Sequence, residues 1–228
     1  MRIRDIKVGD VLCFGGHHWF KADATDAFIA TVGIGAYPYG YTRRENDRTI
    51  YISVAHKWLN SYDERFAPAN YADLDSWSRA RFGNHPAGFL YEFEPEEIEA
   101  LTEEVRLPDI SDVSGDNRLP LFKKMGVRIK DEWGRHMVYW LNRPDDDTWG
   151  TPCVTRNGQV NRYYGCASPL QLRPIIHINP DLTVVSHEDV QTPYFSKPKK
   201  AYEIDFSNAV IETITYTEED FESLFGLE

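Results

Sequence analysis

Turns that contain glycine divide the apolar residues of this chain into pieces no longer than a β-strand. Gly15 and Gly16 interrupt the apolar segment of residues 8–20, and Asn157 and Gly158 stand between two further short apolar segments. Gly-Gly and Asn-Gly pairs accept the positive φ angles that tight hairpin turns require. The pattern therefore predicts two β-hairpins in a chain dominated by short strands and turns.

Helical signals are fewer. The acidic segment 95–104 begins with proline, which suits the first helical position, and its acids favour the positive end of a helix dipole. Shorter helices are predicted over residues 54–60 and over residues 119–126, which end in two lysines, methionine and glycine. Residues 107–111 and 172–178 have strand composition. Together these signals predict an α+β fold of short antiparallel strands with two or more helices and long loops.

The chain is strongly acidic for its size. Its 228 residues carry a formal net charge of -11, from 25 Lys and Arg against 36 Asp and Glu. Because nonspecific nucleic-acid binding depends on cations that neutralise phosphates, this charge argues against nucleic acid and anionic membranes as partners. No apolar stretch approaches the roughly 18 residues of a membrane span, and the charged N-terminus has no apolar signal core. We expect a protein that is cytoplasmic when made, without a signal peptide.

Composition divides the chain into two parts. We predict one domain over residues 1–185, with an insertion at about 61–92 that has weak periodicity. Residues 190–203 contain two prolines and three lysines, which is typical of a linker or an extended arm. A strand-like stretch at 210–216 and a short acidic helix follow it. Residues 186–228 are therefore predicted to form an arm and a short C-terminal element, suited to pairing with the sheet edge of a neighbouring subunit.

A series of short motifs resembles a bacterial and phage family of uncharacterised domains. Residues 139–144 (Y-W-L-N-R-P) are similar to that family's W-W-L-R-S-P motif, and residues 172–177 (L-R-P-I-I-H) are similar to its G-V-R-P-A motif. Residues 8–19 look like its opening strand pair, G-D-x-I-x-F-G-x-x-x-W, and residues 54–60 look like its L-R-K-W-L-N helix. Two further stretches, residues 93–98 and 106–113, look like the family's F-x-x-x-E-x-x-I and V-F-L-L-S-x-x-E segments.

The resemblance covers about residues 6–181. It implies a C-type-lectin-like fold, related in architecture to the formylglycine-generating enzymes and to variable receptor-binding proteins of phages. This chain departs from the pattern at Asn142, Arg143 and Leu172, where the family usually has Arg, Ser and Val, and no glycine directly precedes Leu172.

The resemblance divides the aromatic residues, which are 14% of the chain, into two groups. Trp19, Trp58 and Trp140 fall in the family-like elements, so we predict that they lie in the core. The other rings concentrate in stretches that we interpret as loops, where any binding site would lie. These stretches are residues 37–41, 71–91 and 149–164.

The spacing of the cysteines argues against a catalytic pair. Oxidase members of this architecture bind copper through a close cysteine pair, but Cys153 and Cys166 lie thirteen positions apart and neither has a neighbouring histidine. Buried structural thiols are the favoured interpretation. With Cys13 they are too few for a disulfide framework, so a reducing compartment is expected, with a Cys153–Cys166 bridge left open.

Metal sites are weakly indicated. His17 and His18 are adjacent, and adjacent strand residues point to opposite faces, so they would not converge on one ion. Asp145, Asp146 and Asp147 offer the hard oxygen ligands that calcium prefers, but they lack the alternating spacing of a calcium loop. A solvated acidic turn is favoured there, and calcium is the one cofactor left open. No carboxylate pair stands in a catalytic motif, so no catalytic residue is assigned.

The ligand-binding prediction falls on the segment between the two family motifs. Rigid rings give large contact area at low entropic cost, and Asn and Arg add adaptable hydrogen bonds. An ordinary loop layer remains the competing interpretation. The predicted ligand-binding residues are Trp149, Arg156, Asn157, Asn161, Arg162, Tyr163 and Tyr164. Arg173, within the second motif, is predicted to be structural, since a guanidinium can tie several loop carbonyls together.

We therefore predict a non-enzymatic binding or structural module with a protein or surface-glycan partner. A surface-display type of fold without a signal peptide suggests a protein that leaves the cell within an assembly. A phage-derived virion component, associated with the tail or capsid, or a host-surface-recognition protein fits this description, as a homo-oligomer or part of a larger assembly. Two alternatives stay open, which are an enzyme of formylglycine-generating architecture and a calcium-dependent carbohydrate-binding lectin.

Overall fold

The structure, a computed structural model, describes residues 1–37, 39, 53–66, 87–131, 133–142, 150–163 and 170–208. Its architecture is mixed α+β, mostly sheet with a few short helices, as predicted. The strands are β1 Val11–Phe14, β2 His17–Lys21, β3 Ala27–Ala30, β4 Ala36–Tyr37, β5 Ile129–Lys130, β6 His136–Met137, β7 Tyr139–Trp140, β8 Thr151–Val154, β9 Val160–Tyr163, β10 Leu170–Gln171, β11 Ile175–His177, β12 Val184–Val190 and β13 Lys199–Ile204. The α-helices are α1 Val54–Leu59, α2 Pro95–Ala100, α3 Ile110–Val113 and α4 Pro120–Met125, and 3-10 turns cover Ile3–Asp5, Phe89–Glu92 and Phe206–Asn208.

A six-stranded sheet forms the centre of the fold, in the order β11-β3-β2-β1-β13-β12. Neighbouring strands are antiparallel except β1 and β13, which run parallel with Val11 opposite Ala201. The β1–β2 hairpin turns at Gly15 and Gly16, whose φ angles are 55° and 68°. This confirms the first predicted hairpin.

A second sheet has five strands in the order β4-β10-β7-β8-β9, and only β10 and β7 are parallel in it. The β8–β9 hairpin closes where the Thr155 N–H donates to the Gln159 carbonyl at 2.8 Å, and Gly158 has a φ of 82°. The second predicted hairpin is therefore also confirmed. Strands β5 and β6 form a separate two-stranded pair.

Both faces of the six-stranded sheet are buried along most of β1, β2, β3 and β11, whereas the edge strand β12 is largely exposed. Side chains alternate along each strand, so Leu12 and Trp19 pack into one apolar cluster while Val11 and Phe20 pack into a second cluster on the opposite face. The tryptophans predicted to be core are confirmed. Trp19, Trp58 and Trp140 are 0%, 5% and 0% exposed.

Arg173 is enclosed in the second cluster. Its Nε donates to the Ala30 carbonyl at 3.2 Å and its Nη1 to the Val127 carbonyl at 3.4 Å. The guanidinium also lies over aromatic rings, with its Cζ 5.1 Å from the ring centre of Phe122 and 5.7 Å from that of Tyr139. These contacts join β3 to the segment after α4, which confirms the predicted structural role of this residue.

Two local predictions are corrected. Residues 107–111 were expected to form a strand, but α3 begins at Ile110, because Asp109 and Asp112 form a capping box that satisfies the first amides of a helix. The helix predicted over 95–104 ends at Ala100, since Leu101 bridges to Ile178 across the end of the sheet. A local cap therefore starts α3, and a contact with the sheet ends α2.

The segment after residue 185 is also corrected. Strands β12 and β13 place residues 184–190 and 199–204 in the central sheet, with β13 paired on both sides, rather than in a separate arm. Tyr194 and Phe195, expected on that arm, pack instead against Phe20 of β2 at ring separations of 5.7 and 6.0 Å. The composition correctly predicted an extended segment, but the backbone of this segment forms hydrogen bonds within the protein's own central sheet. Residues 209–228 lie outside the described residues.

Three of the aromatic residues in the stretches that we interpret as loops pack in the core, whereas Tyr91 and Tyr163 are 47% and 42% exposed. Tyr37 packs on Trp58 with ring centres 4.3 Å apart, Tyr39 contacts Trp140 at 5.9 Å, and Phe89 contacts Trp58 at 5.6 Å. Irregular segments therefore supply part of the first apolar cluster. Most of the predicted insertion, residues 67–86, lies outside the described residues.

Candidate functional site

The predicted ligand-binding residues lie on the β8–β9 hairpin. Arg156, Asn157, Asn161 and Tyr163 are exposed and Arg162 is half-buried, whereas Trp149 and Tyr164 lie outside the described residues. Because strand side chains alternate, Asn161 and Tyr163 share one face of β9 and Arg162 shares the other with Val160. The structure thus brings the described members together on one hairpin but divides them between its two faces.

Strand β9 is an edge strand in the part of the sheet that is described. It pairs with β8, whose four residues are all buried, while β9 itself exposes Val160 and Tyr163 by 40% and 42%. A buried strand therefore holds an exposed one in a fixed position. The outer side of such an edge strand presents backbone N–H and C=O groups that can pair with another chain.

Cys153 is a structural thiol. It lies in β8 with no exposed surface, and burial raises the pKa of the thiol to about 12. The thiol is therefore protonated at neutral pH, and nucleophilic chemistry requires the thiolate. Cys166 and the acidic run Asp145, Asp146 and Asp147 lie outside the described residues, so the bridge and calcium hypotheses stay predictions.

A cleft that sequence reasoning missed opens at the end of strands β2 and β3. Its volume is about 340 Å³. One wall comes from the ends of the two strands, where the Thr31 N–H donates to the His18 carbonyl at 3.0 Å, and the other comes from the segment after β12. The lining residues are His18, Thr31, Val32, Gln191, Thr192 and Pro193. They are far apart in the sequence and form no motif, so only the pairing of the strands brings them together.

A second cleft adjoins the first and shares His18 with it. Its volume is about 310 Å³, and it runs beside the β1–β2 turn past Cys13, His17, Glu97 and His187. Glu97 is held in place, since its carboxylate accepts the Gly15 N–H at 2.8 Å. Burial, reinforced by the charge of Glu203, raises the pKa of the Cys13 thiol, which keeps this thiol protonated as well.

The two adjacent histidines of β2 have different surroundings. The His17 ring stacks on Phe89 with centres 5.3 Å apart, whereas His18 is exposed beside Cys13 on the neighbouring strand. Within the described ranges, no three His, Cys, Asp or Glu side chains are grouped so that they could hold a metal ion.

Burial lowers the pKa values of His17 and His56 below the ordinary histidine range. For His17 the charge of Glu92 opposes the effect of burial, and for His56 the Glu104 carboxylate, 3.2 Å from Nε2, opposes it without outweighing it. The folded protein therefore holds both rings neutral at a pH where the unfolded chain protonates them.

We expect acidification to destabilise the fold. Below an unfolded-state histidine pKa of about 6.5, the unfolded chain binds protons that the folded chain does not bind. The free energy of unfolding therefore falls as pH falls below about 6.5, and these histidines do not change it above that pH. Urea unfolding midpoints at pH 7.5 and 5.5 measure the effect. His17→Phe keeps the ring and removes one titrating group, so it should reduce the difference. A midpoint that is unchanged or higher at pH 5.5 in the parent protein would contradict the prediction.

Comparison of this chain with protein-family models, curated proteins and solved structures found no match. No helix among the described residues is long and apolar enough to cross a membrane.

Proposed function

We propose that this protein is a non-enzymatic binding and structural module that joins a larger assembly through the edge of strand β9. The exposure of this strand carries the proposal. Val160, Asn161 and Tyr163 are all exposed on a strand whose partner, β8, is fully buried. A fixed edge with accessible side chains on both faces suits addition of another strand.

The backbone of β9 supports strand addition. Thr155 and Gln159 form a hydrogen-bonded pair, and the register then places Cys153 opposite Asn161 and Thr151 opposite Tyr163. Hydrogen-bonded and non-bonded pairs alternate in an antiparallel ladder. The peptide groups of Val160 therefore point away from β8, and they face the side on which a further strand would lie.

The proposed occupant is the C-terminal segment of a neighbouring copy. Residues 210–216 (V-I-E-T-I-T-Y) are rich in β-branched residues, and residues 212–222 contain five acids. Arg156 and Arg162 make the hairpin locally cationic in a chain with a net charge of -11. Opposite charges on the two elements favour their pairing. Tyr194 and Phe195, which pack within their own chain, have no part in this contact.

The fold class and the biological setting belong to the same proposal. The ordered motifs of residues 6–181 and the mixed α+β architecture support a C-type-lectin-like fold. The setting, a phage-derived virion component of tail or capsid or a host-surface-recognition protein, rests on the resemblance to the phage domain family. Mass spectrometry of purified phage particles from the encoding strain tests the virion setting directly.

Sedimentation of the full-length protein tests the assembly contact. We expect concentration-dependent association that Val160→Pro abolishes, because proline removes the Val160 N–H from the free edge and leaves the ladder to β8 intact. Val160→Ala is the matched control, since it shortens the side chain and keeps the N–H, and it should still associate. A synthetic peptide of residues 209–228 should compete. A parent protein that remains monomeric at about 100 μM would contradict the proposal.

A further inference from the structure

Two segments of this acidic chain carry positive charge without any acidic residue. Residues 123–130 contain Lys123, Lys124, Arg128 and Lys130, and residues 150–163 contain Arg156 and Arg162, and neither segment contains Asp or Glu. The chain as a whole has a net charge of -11. If the fold brings the two segments together, they form a local region of positive potential that attracts acidic partners.

The fold does bring them together, at the turn of the β8–β9 hairpin. A Cβ atom placed on Gly158, in that turn, would be 3.1 Å from the Cγ atom of Arg128. Along the chain from there, Arg128 is exposed, Ile129 is buried and Lys130 is half-buried, as in a strand whose alternate residues face outward. Arg156 is exposed in the turn region itself. Arg128, Lys130 and Arg156 therefore form a basic cluster at the turn end of the hairpin.

The positive charges of the basic cluster are available to a partner. Within the described ranges, none of its three cations forms an ion pair. The Lys130 Nζ donates to a neutral group, the Pro193 carbonyl, at 2.9 Å. Asp131, the acid next to Lys130 in the sequence, accepts instead from the Arg135 Nε at 2.6 Å. The structure therefore holds the ammonium of Lys130 in place without neutralising the cluster.

The C-terminal segment of the chain has most of its negative charge on one side of its strand-like stretch. Glu212 lies within residues 210–216, whereas four acids follow that stretch, namely Glu218, Glu219, Asp220 and Glu222. Strand β9 runs from Val160, beside the turn, to Tyr163. A strand added antiparallel to β9 therefore ends beside the turn, and the four acids that follow it come next to the basic cluster. A parallel strand would end at the other end of β9, beside Tyr163.

We propose that the C-terminal segment of a neighbouring copy adds to β9 in the antiparallel direction, and that its acids at positions 218–222 bind the basic cluster. This inference rests on the assembly contact proposed above, and it assigns a direction and a source of specificity to that contact. Backbone hydrogen bonds to a strand edge accept many sequences, whereas contacts between opposite charges select one segment and one direction. Because the cluster lies at the surface, salt weakens the contact.

Sedimentation of full-length charge-reversal variants tests this direction at about 50 mM NaCl, where screening is weak. Arg128→Glu combined with Arg156→Glu should weaken association at least about tenfold, because two attractive contacts become repulsive. Lys7→Glu combined with Arg65→Glu is the matched control. It changes the net charge by the same amount at two exposed residues on other elements, and it should weaken association by less than about threefold.

A charge swap shows whether the two groups touch. Adding Glu218→Arg and Glu219→Arg to the Arg128→Glu, Arg156→Glu chain restores opposite charges in reversed order, so association should return to within about threefold of the parent. Unfolding midpoints equal to that of the parent show that the variants are folded. A parent that stays monomeric contradicts the assembly contact and this inference together. If Val160→Pro abolishes association but the reversal of Arg128 and Arg156 does not weaken it beyond the control, or the swap does not restore it, the inference alone is overturned.

Discussion

Replacement of Arg173 by alanine should lower the free energy of unfolding by about 3–5 kcal/mol. The side chain is fully buried and its Nε is the donor to the Ala30 carbonyl. Truncation removes this charged donor and leaves a large cavity between Phe122 and Tyr139. Because the site is closed to water, no water molecule replaces the lost hydrogen bond. The Val127 carbonyl keeps one partner, because the Tyr139 hydroxyl donates to it at 2.7 Å.

Urea unfolding measures this loss, and two variants divide it into its parts. Arg173→Met keeps most of the packed volume and removes the donors, so its cost should be smaller than that of the alanine variant. Arg135→Ala is the control at an exposed arginine, whose side chain is 68% exposed and pairs with Asp131. It should cost less than about 1 kcal/mol. If Arg173→Ala costs no more than Arg135→Ala, the structural role assigned to the buried guanidinium is wrong.

Gly15→Ala should destabilise the fold by about 3 kcal/mol, although it adds a single methyl group. Gly15 has a φ of 55°, where a side chain costs roughly 1–2 kcal/mol. The new methyl group would also overlap the Phe93 ring, which is buried against Phe14 and Phe89, and overpacking adds roughly 1–3 kcal/mol.

Gly16→Ala is the matched control within the same turn. Gly16 also has a positive φ, 68°, but a methyl group there meets no atom within 4 Å. We therefore expect a loss of about 1–2 kcal/mol from backbone strain alone. The double variant Gly15→Ala with Phe93→Leu should lose less than the sum of its single changes, because the smaller side chain removes the overlap. Equal losses for the two glycine variants would show that Phe93 does not press on the turn.

The elements that could be predicted are those that adjacent residues define. Gly15-Gly16 and Asn157-Gly158 predicted both hairpins, and the proline and acids at the start of α2 predicted that helix. Each of these signals acts over a few residues through φ preference or hydrogen bonds to the nearest amides. Helix α3, Ile110–Val113, was missed because its capping box, Asp109 with Asp112, lies in a stretch with strand composition.

The candidate site was predictable only in part. The exposed hairpin was found because Arg156, Asn157, Asn161, Arg162 and Tyr163 are consecutive or nearly so. The cleft was missed because its walls come from positions about 160 residues apart, and threonine or glutamine at such positions carries no pattern. The only local sequence signal near the two clefts was the Gly15-Gly16 pair, which predicts the β1–β2 turn beside the second cleft.

The sequence by itself determined where the chain turns, which class of elements it forms, and that Trp19, Trp58 and Trp140 are core. The tertiary structure alone decided that β13 enters the sheet beside β1, that Tyr37, Tyr39 and Phe89 are core rings, and that Lys21 is buried with its Nζ donating to the carbonyls of Ile3 and Thr25. The physical reason is the distance along the chain over which each interaction acts. Turn and cap preferences are set by neighbouring residues, whereas burial and strand pairing are set by whichever distant segment satisfies the backbone groups and covers the apolar face.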